Sequence, residues 1–272
     1  ETHLWYILPD DVKNESLLSQ YVEILSPDEK ETMLSMRGEQ LQKRALLARV
    51  LARTTIARYQ INSQVTPSSL KFRKNIHGKP ELEWQACDNW TPPPLHFNLS
   101  HTSSLIACGV TMGSPQRVMK NNVLSFARRY FSQQEVDFLS AFSDPEVQRL
   151  EFLKLWTLKE AYVKALGKGF SASPFKTFTI RLSKGSTHQS AESGSESSEI
   201  VVEPFGDTKN HTCNWHFALL ELACTHYAAI CMEKNNNAGN GSRPMKVTVW
   251  KTIPFVQDEC VCGTDAVEKI AG

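Results

Sequence analysis

An acid and a base stand at helical spacing in the segment that ends at Gly167. Residues 155–166 read LWTLKEAYVKAL and stop at a glycine, which is typical of a helix with a C-terminal cap. Because residues four apart share one face of a helix, Trp156, Glu160 and Lys164 are expected to point the same way. A carboxylate and an ammonium on one face could move a proton and stabilise a negative charge. The same spacing also fits a surface ion pair worth about 0.2–0.5 kcal/mol.

Capping signals predict the helices that must position these groups. Residues 26–29 (SPDE) and 132–135 (SQQE) are capping boxes, which mark helix starts. Apolar residues at spacings of three and four, beside basic ones, predict an amphipathic helix over residues 39–59. Asp144 and the proline after it predict the start of the long helix that ends at Gly167. The acid–base segment is therefore the last part of a long helix.

Short strands are predicted in both halves of the chain. In the first half they flank Ser100 and His101, which are expected in the turn between strands 95–99 and 105–110. In the second half they are predicted at residues 175–182, 199–205, 215–223, 227–232 and 245–250. An antiparallel sheet is their simplest assembly, with flexible loops at 184–198 and 234–243, which are rich in small and polar residues. Helices followed by strands, twice over, indicate an α+β fold.

Three sequence blocks, in order, resemble the signature of the larger, two-lobed 4′-phosphopantetheinyl transferases. Residues 156–169 fill every fixed position of the pattern W-x-x-K-E-[AS]-x-x-K-x-x-G-K-G. Residues 77–80 (HGKP) are similar to the family's G-K-P turn, and residues 97–101 (FNLSH) to its F-N-x-S-H block. A fourth stretch, residues 126–132 (FARRYFS), is similar to its A-x-R-F-F-S block. The resemblance runs from about residue 44 to residue 180, half of the chain.

The resemblance implies two similar lobes, each of helices packed on a small, mainly antiparallel sheet, with a cleft between them. The expected N-terminal lobe is residues 1–115, with the basic residues and the G-K-P and S-H motifs. The expected C-terminal lobe is residues 116–272, with the W-x-x-K-E helix, the antiparallel strands and both flexible loops. Since such members hold both halves of the cleft in one chain, a monomer is expected.

The reaction implied by the resemblance moves the phosphopantetheine arm of coenzyme A onto a serine of an apo carrier protein. Adenosine 3′,5′-bisphosphate leaves, and charge that grows on the bridging oxygen must be neutralised by cations or a divalent metal. The resemblance assigns Glu160 as a Mg²⁺ ligand or as the base for the serine hydroxyl, and Lys164 as the group that stabilises the phosphate charge. Lys159 is implied as a substrate contact.

Four residues of the first half are implied to grip the phosphates of coenzyme A: Arg44, Lys79, Ser100 and His101. Three of them also have an ordinary structural explanation. Lys79 fits a turn lysine, Ser100 a cap, and His101 a turn hydrogen bond. A serine hydrolase dyad of Ser100 and His101 is disfavoured because no G-x-S-x-G elbow surrounds the serine.

One block that the resemblance leads us to expect is missing. The family shows G-[IV]-D-[IV]-E after the strand that follows the S-H pair, but residues 109–113 read GVTMG. No Asp or Glu occurs from Asn89 to Gln134, so the expected Mg²⁺ site lacks two carboxylates. Arg117 and Lys120 could neutralise charge in their place. The alternative function is a catalytically impaired relative that binds coenzyme A or a carrier protein without transfer.

Charge and composition restrict the partners. The 272 residues carry a formal net charge of +1, yet nine cations and no acid lie between Glu39 and Glu81. A phosphate-binding wall is a natural use of these cations, and the alternative is that half or more of them are solvated helix positions. Nucleic-acid binding is disfavoured because few aromatic residues lie among the cations. No apolar run reaches eighteen residues, so no membrane span is expected.

Seven scattered cysteines favour a reducing compartment over a disulfide framework. A cytoplasmic location is the resulting expectation. Because the chain begins at Glu1 rather than at a methionine, organelle targeting stays open.

Overall fold

The computed structural model describes residues 2–59, 65–76, 80–83, 95, 97–109, 123–167, 174–184, 198–204, 215–223, 225–233, 247–261 and 267–271. Its α-helices are α1 (Glu15–Ile24), α2 (Pro27–Leu34), α3 (Glu39–Arg58), α4 (Val123–Tyr130), α5 (Gln133–Ser140) and α6 (Pro145–Leu166). Its strands are β1 (Thr2–Ile7), β2 (Lys71–Lys74), β3 (Pro80–Glu83), β4 (Asn98–His101), β5 (Ile106–Gly109), β6 (Phe178–Lys184), β7 (Ser198–Pro204), β8 (Trp215–Leu222), β9 (His226–Glu233), β10 (Val247–Ile253), β11 (Gln257–Cys260) and β12 (Val267–Ala271). Short 3-10 helices lie at Pro9–Asp11, Pro67–Ser69 and Phe175–Thr177.

The chain divides into two compact units, and its C-terminal part contributes to both. The first unit consists of Glu1–Pro115 and Val247–Cys262, and the second of Gln116–Lys246 and Gly263–Gly272. All of residues 116–272 were predicted to form one lobe, but residues 247–262 belong to the first unit. The reason is strand pairing, because β10 hydrogen-bonds in parallel with β1 at the other end of the chain.

The first unit is built on a five-stranded mixed sheet in the order β11-β10-β1-β5-β4. All neighbours are antiparallel except β10 and β1, so the strand predicted at 245–250 exists but belongs to a different sheet from the expected one. Helix α3 packs against β1, β4 and β5. The buried side chains of this layer include Leu47, Leu51 and Ile106, none of which is exposed to solvent. The result is a helix-on-sheet core.

The predicted turn at Ser100 and His101 is wrong, because both residues belong to β4. Their antiparallel partners on β5 are Ala107 and Ile106, respectively. The turn begins at Thr102, whose Oγ1 accepts hydrogen bonds from Ser104 N at 3.2 Å and Leu105 N at 2.9 Å. A threonine hydroxyl that satisfies two backbone donors closes the hairpin after the S-H pair instead of around it.

The second unit places α6 against a sheet in the order β12-β8-β9 and near the β6-β7 hairpin. All strand pairs of this unit are antiparallel, as predicted. Helix α6 starts where the sequence predicted, because Asp144 Oδ1 accepts from Glu146 N at 2.8 Å. It ends at Gly167, whose φ of 68° lies in the left-handed region that glycine adopts without steric cost.

Both units combine helices with small sheets, which confirms the predicted α+β class. Both capping boxes form, with each serine hydroxyl accepting from the backbone of the glutamate three residues later. Most of the two expected flexible loops, 184–198 and 234–243, lies outside the described residues. None of the helices within the described ranges is long and apolar enough to cross a membrane.

Candidate functional site

Glu160 lines a pocket of about 490 Å³ in the second unit. Helix α6 buries Leu158 and Ala161 in the core and leaves Trp156 and Glu160 half-buried. Three stretches of chain supply the lining: Phe126, Arg129, Tyr130, Trp156, Glu160, Pro174, Phe175 and Lys176. Trp156 and Glu160 thus share a face of the helix, as their spacing predicts.

Aromatic rings form most of the pocket wall around Trp156. The Trp156 ring centroid lies 5.0 Å from that of Phe175, in an edge-to-face arrangement, and 5.3 Å from that of Phe126. Tyr130 makes a further edge-to-face contact at 5.9 Å. Rings at these distances hold one another in place, because such pairs contribute about 0.5–1.5 kcal/mol beyond their buried area. The pocket therefore has a firm apolar wall.

Charged groups of both signs complete this pocket. Glu160 is the acidic residue of the lining, and Arg129 and Lys176 are the basic ones. A carboxylate beside an apolar wall can accept a proton from a hydroxyl placed against it, while two cations can hold an anionic ligand. This combination can serve a proton transfer on a negatively charged substrate.

Lys164 is half-buried one helical turn beyond Glu160 but is not among the residues that line the pocket. It does interact with another group of the protein. The structure therefore brings together two of the three residues predicted to share a face, Trp156 and Glu160.

The structure places Lys159, which the resemblance implied as a substrate contact, in the interior of the second unit. Its side chain has no exposed surface, and its Nζ lies 2.9 Å from Glu135 Oε1. It also donates to Phe175 O at 2.8 Å and to Phe178 O at 2.7 Å. Burial lowers the pKa of Lys159 to about 8, and the Glu135 charge and hydrogen bond act in the opposite direction. All three ammonium protons have partners inside the protein.

The expected phosphate contacts of the first unit lie on two elements. Arg44 is half-buried on α3, where its Nε donates to Gln40 O at 3.0 Å. Ser100 is buried and His101 is exposed at the end of β4. Lys79 lies outside the described residues.

Part of the expected phosphate-binding wall is already neutralised by acids of the same unit. Arg53 forms an ion pair with Glu29 at 2.7 Å and is buried. Two other arginines of the acid-free interval are also paired, Arg58 with Asp258 at 2.7 Å and Arg73 with Glu81 at 3.7 Å. The acids that pair with these three arginines lie outside the acid-free interval of the sequence, so the charge of the interval is partly balanced in the folded protein.

The remaining residues of the pocket were not predicted to be functional. Phe126 and Tyr130 are four residues apart on α4, and this spacing could have predicted an aromatic face beside Arg129. No sequence pattern pointed to Pro174 and Lys176, because they line the pocket only through the way the chain folds back after α6.

The donor set of the described residues does not by itself form a metal centre. No group of three or more His, Cys, Asp or Glu side chains that could hold an ion occurs in the ranges that the structure describes. Mg²⁺ typically takes one or two carboxylates together with phosphate oxygens and water. Glu160 supplies one carboxylate beside two cations, so the described residues alone provide only one of the oxygen ligands that Mg²⁺ needs.

Family models match most of the chain. The model described as the 4′-phosphopantetheinyl transferase superfamily matches residues 110–219. The model described as 4′-phosphopantetheinyl transferase, N-terminal, matches residues 13–112.

Curated relatives carry the same name. A 4′-phosphopantetheinyl transferase of Bacillus subtilis is 33% identical over 153 residues, covering 55% of this chain and 62% of the relative. The 4′-phosphopantetheinyl transferase Sfp of Bacillus subtilis strain 168 is 30% identical, covering 60% and 69%. The 4′-phosphopantetheinyl transferase HetI of Nostoc sp. is 31% identical, covering 63% and 70%. The matched part of the chain thus spans 62–70% of the length of these relatives. With both family models matched in chain order, this chain belongs to the 4′-phosphopantetheinyl transferase superfamily.

Proposed function

We propose that this chain transfers the 4′-phosphopantetheine arm of coenzyme A to a serine of an apo carrier protein. The observation that carries the proposal is the half-buried Glu160 carboxylate on an aromatic pocket that also holds Arg129 and Lys176. The superfamily membership supplies the reaction class. In this reaction the serine oxygen forms a bond to the phosphorus of the phosphopantetheine arm, and adenosine 3′,5′-bisphosphate leaves.

Glu160 is proposed to accept the proton of the attacking serine hydroxyl. An apolar wall on one side of the carboxylate excludes water and strengthens the interaction with a hydroxyl placed against it. Arg129 and Lys176 offer charge-assisted hydrogen bonds to phosphate oxygens. Lys164, one turn along α6, is proposed to stabilise negative charge on the phosphate.

The first unit is proposed to hold the remaining phosphates of coenzyme A through Arg44, Lys79, Ser100 and His101. Arg44 and His101 are accessible enough for such a role, since neither is buried. Ser100 is buried and would act from within β4. These assignments rest on the sequence motifs.

Mg²⁺ is proposed as a cofactor whose binding depends on the substrate. Glu160 would contribute one carboxylate, and phosphate oxygens and water would provide the other ligands. The remaining roles belong to side chains of the protein: Glu160 takes the proton, and Arg129 and Lys176 orient the phosphates.

The partners proposed are coenzyme A and an apo acyl or peptidyl carrier protein, with a monomeric enzyme in the cytoplasm. Free thiols support a reducing location: Cys108 and Cys231 are buried and Cys260 is exposed, each without a disulfide.

A catalytically impaired relative is the second candidate function. The observation that favours it is the lack of any Asp or Glu from Asn89 to Gln134, where the superfamily signature places two carboxylates. Such a protein would bind coenzyme A or a carrier protein and would release no adenosine 3′,5′-bisphosphate.

The experiment that separates the two candidates is intact-protein mass spectrometry of an apo carrier protein incubated with this chain and coenzyme A. Mg²⁺ is present in one series and removed by a chelator in the other. A mass gain of one phosphopantetheine arm supports transfer, and its dependence on Mg²⁺ reports the metal. No gain across several carriers, with coenzyme A binding retained in calorimetry, supports the impaired relative.

A further inference from the structure

A buried ion pair lies directly behind the Glu160 pocket. Glu135, on α5, has a side chain that is 2% exposed, and Lys159, on α6, has none of its side chain exposed. Lys159 Nζ lies 4.0 Å from the ring centroid of Phe178 and 5.7 Å from that of Phe175. The ammonium is thus enclosed by one carboxylate, two backbone carbonyls and aromatic rings.

Glu135 connects three elements through its two oxygens. Its Oε1 accepts from Ile180 N at 2.8 Å on β6 and from the Lys159 ammonium. Its Oε2 accepts from Ser132 N at 3.0 Å, which closes the capping box of α5. The hydroxyl of Thr179 donates to Ser132 Oγ at 2.9 Å and extends the network along β6. Every partner is buried, so breaking one bond leaves a buried polar group without its protein partner.

Lys159 also hydrogen-bonds to the chain segment that contributes Pro174, Phe175 and Lys176 to the pocket. The Lys159 ammonium donates to Phe175 O and Phe178 O, so it connects the 3-10 helix Phe175–Thr177 to α6. Pro174, Phe175 and Lys176 line the pocket. Glu160, the next residue after Lys159 on α6, lines the same pocket. One ammonium therefore ties the Pro174–Lys176 part of the lining to the helix that carries Glu160.

The energetics of a buried ion pair favour the view that Glu135 and Lys159 position the neighbouring backbone more than they stabilise the fold. Replacing a buried ion pair by well-packed apolar residues is often neutral or stabilising, because charges lose their hydration on burial. A network with three directional bonds from one ammonium specifies the position of the carbonyls, which apolar packing would leave free to shift.

We propose that Glu135 and Lys159 are positioning residues, which fix the Pro174–Lys176 wall relative to the Glu160 carboxylate and thereby set the geometry of phosphoryl transfer. This inference rests on the proposed function, since it assigns the pair to the same reaction. Neither residue touches substrate; both act through the pocket walls.

The test compares Glu135→Gln with Glu151→Gln in the full chain. Glu151 is a matched control because it also accepts from a lysine, Lys154, at 2.7 Å, but on a part of α6 that does not line the pocket. Glutamine keeps the size of glutamate and one acceptor oxygen, but it loses the charge and presents an amide to the Ser132 donor. Lys159→Arg is a second variant that keeps the charge and changes the shape of the donor group.

Two measurements are made on each variant. The ¹⁹F resonance of Trp156 in protein labelled with 5-fluorotryptophan reports the pocket directly, and Trp156→Phe assigns it. Turnover with coenzyme A and an apo carrier protein gives kcat and KM. We expect Glu135→Gln to shift the Trp156 resonance and to lower kcat by about tenfold to a hundredfold, because small displacements of a catalytic group cost rates of this order. Glu151→Gln should change neither.

The proposal is overturned if Glu135→Gln and Lys159→Arg keep the wild-type Trp156 resonance and kcat, and only unfold at lower urea. If the wild-type chain transfers no phosphopantetheine, the proposed function fails, and the ¹⁹F comparison still decides whether the pair fixes the pocket. An unshifted resonance in that case also overturns the positioning role.

Discussion

The Trp156 indole and the Glu160 carboxylate, one helical turn apart on α6, line the same pocket of the second unit. The indole contacts rings from α4 and from the segment after α6, while the carboxylate remains half-buried beside two cations. If Glu160 served only in a surface ion pair with Lys164, it would not need to line a pocket. This relationship makes Glu160 the first residue to test.

Glu160→Gln is expected to lower phosphopantetheine transfer by at least about a hundredfold, because a general base typically contributes 10²- to 10⁴-fold. Coenzyme A binding should change little, since the amide keeps the size of the carboxylate. Transfer is measured by intact mass spectrometry of the carrier protein, and binding by calorimetry. Glu151→Gln, on the same helix, is the control and should keep wild-type transfer. An unchanged rate in Glu160→Gln would remove this residue from the mechanism.

Arg129→Ser is expected to weaken coenzyme A binding by about tenfold, because a charge-assisted hydrogen bond contributes about 1.5 kcal/mol or more. Arg129 lines the pocket, and its guanidinium lies 5.4 Å from the Tyr130 ring centroid. The dissociation constant is measured by calorimetry at two salt concentrations. Arg128→Ser is the matched control, since Arg128 is an equally exposed neighbour that does not line the pocket. Equal losses in the two variants would indicate a non-specific charge effect.

Arg53→Met is expected to destabilise the first unit by about 1.5–3 kcal/mol, the usual range for hydrogen bonds to charged groups, because Glu29 is partly exposed and water can solvate the charge left behind. Arg53 donates to Glu29 Oε2 at 2.7 Å, and its Nη1 donates to Pro67 O and Leu70 O at 2.8 Å each. Its loss leaves two carbonyls without the guanidinium donor, and it leaves the Glu29 carboxylate with the Ser26 N–H as its remaining donor. Urea unfolding is followed by the ¹⁹F signals of Trp5 and Trp250, which stack in this unit.

Arg49→Met is the control for this change, because Arg49 is half-buried on the same helix and its Nη1 donates to Ala45 O at 3.0 Å. It should change the free energy of unfolding by less than about 1 kcal/mol. If both variants unfold at the same urea concentration, the Arg53 network contributes little to stability.

The sequence predicted the local features that depend on neighbouring residues. The start and end of α6 follow from Asp144 and Gly167, whose capping roles are set within a few residues. The shared face of Trp156 and Glu160 follows from helical geometry. The antiparallel strands of the second unit follow from alternating short runs of apolar residues and intervening loops.

Features that depend on distant contacts were not predictable in this way. The pairing of β10 with β1 joins opposite ends of the chain, and a local pattern cannot choose a strand's partner. The resemblance implied that Lys159 contacts the substrate, whereas in the structure its ammonium pairs with Glu135 on α5. That glutamate was visible only as a capping-box residue, which is usually found at a helix start near solvent.

The Tyr21 hydroxyl connects α1 to the β10–β11 hairpin, since it is buried and donates to Pro254 O at 2.7 Å. Burial raises the pKa of Tyr21 well above its usual value of 10. Above pH 10 the unfolded chain therefore loses this proton while the folded protein retains it. Because the unfolded state then binds fewer protons, the free energy of unfolding falls as pH rises.

The contribution of Tyr21 is consequently complete below pH 10 and is lost above it. We expect wild type to be more stable than Tyr21→Phe by about 1 kcal/mol near neutral pH, the usual value of one buried hydrogen bond. Above pH 10 this advantage should shrink by about 1.4 kcal/mol per pH unit, because the variant lacks the titrating group. Urea unfolding of both proteins from pH 7 to pH 11 measures the difference, in which the other tyrosines cancel. Parallel stability curves over this range would show that the Tyr21 proton is equally bound in the folded and unfolded states.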